Sequence, residues 1–465
     1  MRGFLILVVA CPELPFFGPR SPIADPQNFA SIMTSSFFQP TRRGFLRGSA
    51  LAATAPAILG RTRKALNKND ADVLKVGLVG CGGRGSGAAL QAMQAEEGTV
   101  VLTAMADIFP ERIEQKLQLM RDDLMELSDR VQVDEDHKFV GFDAYKKVME
   151  SDVDVVILTT PPHFRPAHIE AAVAAGKHIF AEKPCAVDAP GVRRVLESAK
   201  RAKAQNTALM SGFCWRYKFG VREVYSRIQA GEIGELRAVY STYNAGVLGK
   251  SVRKEGWSDM EWQLRNWWHF LWLSGDHIAE QACHSLDKMA YAFGDVSPLS
   301  CVAVGGRQAR TGAESGNVYD HFGVTYDYPN GAKGFHMSRQ IAGCNNDNSD
   351  WAWGEKANAT IDCWGNRHRF EGQVNWTYDG PDNNMYQTEH DELFASIRAG
   401  KPVNDGTWFA HSSLLAIMGR MAAYTGQRVT WDEAMNSKQV LGPKSYDWGQ
   451  LGMNDVPTPG KTKLV

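Results

Sequence analysis

Three glycines, Gly80, Gly82 and Gly85, stand at G-x-G-x-x-G spacing in VGLVGCGGRG, directly after an apolar run and before an alanine-rich stretch. The first glycine permits a tight turn. The second lets backbone approach a pyrophosphate, and the third allows close helix–strand packing. The helix N-terminus then offers free N–H groups and a positive dipole end to phosphates. Asp107 follows Gly85 by 22 residues, at the end of the next apolar run. A carboxylate there accepts from a ribose 2′-hydroxyl and repels a 2′-phosphate, so NAD is expected ahead of NADP. Arg84 and Arg112 keep NADP open, because a guanidinium pairs with that phosphate. Further on, HIFAEKP sets Glu182, Lys183 and Pro184 at the end of another apolar run. A lysine in that place donates to a substrate oxygen or, with a lowered pKa, takes part in proton transfer. Pro161, closing the VDVVILTTPP run, completes the expected cofactor contacts together with Glu182 and Lys183.

A second set lies in SGDHIAEQACHSLD, where His277, Glu280 and His284 fall at i, i+3 and i+7. On one helix these share a face, and three nitrogen or oxygen ligands can hold a divalent metal. The spacing is not H-E-x-x-H, and no metal is expected. Just upstream, GWSDMEWQLRNWWHFLWLSG carries Trp257, Trp262, Trp267, Trp268 and Trp272. Most of these rings should pack in the core. One or two, Trp267 foremost, should stack on sugar C–H surfaces while Arg265, Asn266 and His269 bond hydroxyls. His163, Arg216 and Tyr217 are further candidates at the cleft.

The elements that must position these residues alternate. LKVGLVG, TVVLTAMAD, VDVVILTT, HIFAE and TALMSGF read as buried strands, with helical stretches between them. That order implies a doubly wound, mostly parallel sheet over 73–213, with the glycine loop and Lys183 at strand ends that line its crevice. After about residue 234 the texture changes to ELRAVYSTYNAG, LSCVAVGGRQA, HFGVTYDYPNGAKGFHMSRQ and ANATIDCWGNRHRFEG. Asn330-Gly331 marks a hairpin tip. A second α/β domain over 214–440 with a mostly antiparallel sheet is expected, then a tail over 441–465.

In their order, the VGLVGCGGRG loop, the TTPPHFRPAHIEAAVAAGKHIFAEKP block and SGDHIAEQACHSLD resemble the Gfo/Idh/MocA oxidoreductases. The resemblance covers about 73–300 by motif. It implies an N-terminal Rossmann domain and a C-terminal domain with an open, mostly antiparallel sheet. It also implies that Lys183 sits beside the nicotinamide and a substrate hydroxyl. Many members carry Asp-x-x-x-His, with the histidine as general base; here Glu280-x-x-x-His284 stands in that place, followed by Asp287. The expected catalytic set is therefore Lys183, His284 and Glu280, with His277 and Asp287 added to the substrate contacts. Oxidation of a secondary alcohol needs its hydroxyl proton removed, which suits an imidazole of ordinary pKa ~6.5. The implied activity is hydride transfer from or to a sugar or polyol. The alternatives are an NAD-dependent glycosidase that oxidises transiently and eliminates, and a non-catalytic sugar-binding or sensor protein on the same fold.

Among 465 residues the formal net charge is −1, and no basic block follows residue 64, so no nucleic-acid partner is expected. The eight cysteines include no C-x-x-C pair, which argues against a zinc knuckle or thioredoxin-like motif. No apolar run past residue 60 reaches the ~20 residues of a membrane span. Earlier, TRRGFLRGSALAATAPAILG starts with Arg42 and Arg43 and reads as a twin-arginine signal near a true start at Met33. Residues 1–60 should then be extension and signal, and 61–72 a linker. That reading predicts a periplasmic or otherwise exported protein, passed by the twin-arginine machinery with its cofactor tightly bound. A homo-oligomer is expected.

Overall fold

In the computed structural model, residues 73–465 are described; the twin-arginine stretch, the Met33 start and the 61–72 linker lie outside the described residues. Five apolar runs become the parallel strands β1 (Val73–Val79), β2 (Thr99–Asp107), β4 (Val155–Leu158), β5 (His178–Ala181) and β6 (Leu209–Ser211). A short edge strand, β3 (Lys138–Val140), joins them, and the sheet order is β3-β2-β1-β4-β5-β6. The sequence reading missed β3: three residues are too few to show a period. The helices between are α1 (Gly83–Met93), α2 (Pro110–Leu124), α3 (Ala144–Glu150), α4 (Arg165–Ala174) and α5 (Ala189–Ala204). Strand order reverses between β1 and β4, which opens the crevice at the carboxyl ends of those strands.

Helix α6 (Phe219–Gln229) leads into a nine-stranded sheet of order β14-β13-β12-β11-β7-β10-β9-β8-β15. Its central strands are β7 (Leu236–Ala245), β8 (Ser300–Gly306), β9 (His321–Asp327), β10 (Lys333–Gln340) and β11 (Asp350–Gly354). The flanking strands are β12 (Ala357–Asp362), β13 (Arg367–Gly372), β14 (Trp376–Thr377) and β15 (Val429–Thr430). Only the β7–β10 pair is parallel. Asn330 and Gly331 both take positive φ at the β9–β10 turn, as the hairpin signal required. No helix among the described residues is long and apolar enough to cross a membrane.

Four helices bridge β7 to β8: α7 (Asp259–Arg265), α8 (Leu271–Ser274), α9 (His277–Glu280) and α10 (Cys283–Ala292). The tail of the chain then returns to the first sheet. Leu393 and Phe394 of α11 (Met385–Arg398) fill the same apolar cluster as Val76, Leu78 and Phe180. Leu209 of β6 donates to Val403 O at 2.9 Å, and Asp405 donates back to Leu209 O at 2.8 Å. The first domain is thus completed by residues far beyond 213, a crossing that strand–helix alternation along the sequence does not reveal. Helix α12 (Gly406–Thr425) runs between α5 and the large sheet, and α13 (Trp431–Asn436) follows it.

Candidate active site

The glycine loop has the geometry that a dinucleotide needs. Gly80 sits at φ +100°, and a Cβ there would lie 2.7 Å from Thr160 N. A Cβ on Gly85 would lie 2.0 Å from Gly80 O, so helix and strand touch only because it is glycine. On Gly82 and Gly83 a Cβ would meet nothing within 4 Å, which leaves the outer side of the loop open at the start of α1. Asp107 closes the loop from β2, accepting from Cys81 N at 2.7 Å and from Phe109 N at 2.9 Å. Burial lifts its pKa, with the Arg112 charge opposing. Each carboxylate oxygen keeps a second lone pair for a ribose hydroxyl. Thr159 Oγ1 donates to Gly80 O at 2.6 Å, so the turn before Pro161 is tied to the loop. These residues fit an NAD pyrophosphate and ribose.

Arg84, at the start of α1, is tied into the protein by three bonds. Its Nε donates to Glu182 Oε1, its Nη2 to the fully buried Glu389 at 2.5 Å and its Nη1 to Gln91 at 2.7 Å. Each guanidinium nitrogen makes one of these bonds, so Arg84 ties α1 to Glu182 at the end of β5 and to α11. Glu182 in turn accepts from Lys183 N at 3.0 Å, which fixes the turn that presents Lys183. Arg165, 2% exposed, braces the other side by donating to Thr160 O and Pro184 O. Neither arginine is identifiable as a brace from the sequence, because their partners lie far along the chain or on backbone.

Lys183 reaches the second domain. Its ammonium donates to Glu280 O and lies 3.5 Å from Glu280 Oε1. Burial pulls this ammonium down, but the carboxylates of Glu280 and Glu182 outweigh it and hold the group above its usual value. Lys183 is therefore a cation and a donor; the low-pKa proton carrier does not apply. His284 sits next to it, edge-on to Phe213 with centroids 5.9 Å apart, and its buried Nδ1 has no partner. Burial, then the Lys183, Lys288 and Arg84 charges, push its pKa well below the usual value, so the ring is neutral. The structure thus brings Lys183, Glu280 and His284 together at the end of β5.

The remaining expectations separate. The helix carrying the three metal candidates is broken at Gln281, with α9 ending at Glu280 and α10 starting at Cys283. His277 turns into the second-domain core, 3.2 Å from Ser338 Oγ and against Phe322. It shares no face with His284, and no metal-binding group occurs among the described residues. Asp287 is sealed, bonded to Arg216 and Ser412. Asn266 is spent on Ser251 N and Glu314 O. Arg265 pairs with Glu261 and Glu111 and lies 3.8 Å over the Phe109 ring. Trp267 packs on Trp268. His163 bonds Tyr446, and Tyr217 bonds Asp405. The tryptophan-rich segment is therefore a cover packed beside Phe109 at the Asp107 end of the crevice. Of its five tryptophans, Trp272 is buried, while Trp257, Trp262, Trp267 and Trp268 are half-buried.

A parallel sheet with an open glycine loop and a strand-end lysine, facing a glutamate and a histidine from a second domain, defines a two-domain nucleotide-dependent enzyme fold. Residues 74–210 match the oxidoreductase family with an NAD-binding Rossmann fold, and residues 221–360 match the GFO/IDH/MocA C-terminal domain. The chain belongs to the Gfo/Idh/MocA family, and its first domain is an NAD-binding Rossmann domain. It is 27% identical over 179 residues to the 2,7-anhydro-N-acetylneuraminate hydratase of Escherichia coli, covering 38% of this chain and 44% of that one. It is 26% identical over 182 residues to the inositol 2-dehydrogenase of Pseudomonas syringae, covering 39% and 49%. The aligned region thus spans less than half of either relative. Among solved structures, the aldose-aldose oxidoreductase of Caulobacter crescentus has a TM-score of 0.61 at 19% identity, over 77% of this chain and 99% of that one. Levoglucosan dehydrogenase with NADH and levoglucosan has a TM-score of 0.60 at 19% identity, with the same coverage. These two show the shared fold.

Proposed function

We propose that the protein is an NAD-dependent oxidoreductase acting on a secondary alcohol of a sugar or polyol. The observation that carries this is the cationic Lys183 beside Glu280 and a neutral His284 whose Nδ1 has no partner, presented at a crevice whose glycine loop fits the dinucleotide. His284 accepts the hydroxyl proton as the C–H hydride leaves, Lys183 stabilises the developing alkoxide, and Glu280 offsets the charge. The bound nicotinamide supplies the hydride acceptor; the products are a ketone, NADH and a proton. The test is to denature the purified protein, identify the released nucleotide, and follow NADH formation across a polyol panel with wild type, Lys183→Ala and His284→Ala. Near wild-type turnover in both variants sinks the assignment.

The name of the E. coli relative, a hydratase of an anhydro sugar, supports a second reading. In that reading transient oxidation acidifies a neighbouring C–H, a leaving group departs, and the hydride returns, as in an NAD-dependent glycosidase. Aglycone release without net NADH separates it from the first. We further propose export by the twin-arginine route, supported by Arg42 and Arg43 within TRRGFLRGS, and a tightly held cofactor. Retention in the cytoplasm on Arg42→Lys/Arg43→Lys, and nucleotide that survives gel filtration, are the expected results. Homo-oligomer formation is supported by Val302, Val304, Phe335, Met337 and Trp353, all exposed on one face of the large sheet, and sedimentation tests it.

A further inference from the structure

We infer that residues 441–457 form a strap that closes the adenosine end of the crevice and sets how slowly the dinucleotide leaves. This rests on the NAD reading of the glycine loop and Asp107 above. Strand order reverses between β1 and β4, so β4 and β5 lie on one side of the switch point and β2 and β3 on the other. The segment passes from the first side to the second over the loops that follow these strands. Leu441 N donates to Asp188 Oδ2 at 3.1 Å, after β5. The Tyr446 hydroxyl lies 2.7 Å from His163 Nε2, after β4, and its ring stacks on Phe142, after β3, with centroids 5.6 Å apart. Trp448 then meets Phe142 at 5.2 Å and Phe109, after β2, at 5.8 Å.

The Trp448 contacts fix which part of the dinucleotide is covered. Phe109 N donates to Asp107 Oδ1 at 2.9 Å, and Gly141 N, next to Phe142, donates to Asp107 O at 3.1 Å. Both rings that Trp448 touches are thus tied to the residue whose carboxylate takes the adenosine ribose. Beyond Trp448 the chain is anchored on the second domain. Met260 N donates to Gly449 O at 3.3 Å, Leu451 N to Asp259 Oδ2 at 3.1 Å, and Gln263 Nε2 to Leu451 O at 2.9 Å. Asn317 Nδ2 reaches Asn454 O at 3.2 Å, and the Tyr319 hydroxyl reaches Pro457 O at 2.8 Å. The strap therefore joins the two domains at the adenosine end, and they cannot part there while it is seated. Its two ends are held unequally. Tyr446 is 39% and Trp448 49% exposed, and a cavity of about 280 Å³ lined by Phe142, His163, Arg194 and Tyr446 lies under the first-domain end. Segments with few buried contacts open first, so the first-domain end lifts and the hydrogen-bonded 449–457 stretch is its hinge.

The test uses the full-length protein loaded with NADH or with reduced nicotinamide mononucleotide, which lacks the adenosine half. Release is timed by fluorescence during a chase with excess NAD. Trp448→Ala should release NADH ~10- to 100-fold faster than wild type, the range for an aromatic ring lost from beside a base. Tyr446→Phe, which loses only the His163 bond, should speed release by ~2- to 10-fold. Release of the mononucleotide should be the same in all three proteins. Limited trypsin digestion of the wild type decides the matter should either variant fold poorly: NADH should slow cleavage after the exposed Lys444, and the mononucleotide should not. Equal NADH release from Trp448→Ala and wild type, or Lys444 cleaved equally fast with and without NADH, overturns the strap while the NAD reading stands. Failure of the wild type to bind NADH rejects the cofactor reading itself, and the strap with it.

Discussion

Two buried lysine–carboxylate pairs lie within a few residues of His284, and they are built differently. Lys288 and Asp350 meet at 2.5 Å, with side chains 0% and 1% exposed, under the Trp215 ring and against Cys363. Lys183 and Glu280 stand 3.5 Å apart with side chains 13% and 12% exposed. The first pair is closed, and its attraction only offsets the desolvation of both ions. The second keeps slack and access, so a ligand oxygen can enter between the charges. The two pairs differ in closure and not in the kind of charge they bury.

Breaking the closed pair should have the largest effect. Lys288→Ala leaves Asp350 buried without its cation and should cost ~3–5 kcal/mol in urea unfolding, while Lys288→Met/Asp350→Leu should recover most of that loss. Lys183→Ala should leave unfolding unchanged and lower kcat/KM by ~10²–10³-fold, the usual loss for one donor to a developing oxyanion. If both lysines proved equally important for stability, the contrast would fail. Next comes pH. Burial, helped by neighbouring cations, holds His168 and His336 at about 3, below the usual 6.5. In such cases the unfolded chain binds the proton first, so stability is full above pH 6.5 and falls as pH drops below it. Each should cost up to ~1.4 kcal/mol per pH unit, read as a falling thermal midpoint between pH 6.5 and 4. His284 is also depressed, so kcat/KM should stay flat below pH 6.5, where an ordinary histidine base would already be lost. The smallest effect belongs to Glu280→Asp, which restores the shorter residue found in many family members. It widens the open pair by one methylene and should change kcat by a few-fold, with KM nearly constant.

The first half of the site was legible because its chemistry is local. Gly80 and Gly82 follow a strand end that a short apolar run predicts, Gly85 opens the helix after it, Asp107 ends the next strand and Lys183 follows another. The second half was legible only in part. Glu280 and His284 could be named, but the break at Gln281 could not, since the four-residue helix before it and the ten-residue helix after it look continuous in sequence. His277 was misplaced for that reason. The bracing bonds of Arg84 and Arg165 were not legible because they depend on Glu389 and Pro184 O, which pattern and spacing do not connect. Polar residues at Asn266, Arg265 and Asp287 looked available and are spent on neighbours.

Because α11 and the Asn404–Asp405 turn complete the first sheet, the boundary near residue 213 is no place to cut. A shuffled chimera that exchanges the second domain for a relative's must carry residues 385–405 with the first. A protein truncated at 213 would expose Phe180 and Met210 where Phe394 belongs. Inheritance of the two halves is thereby coupled: neither is one continuous piece of gene.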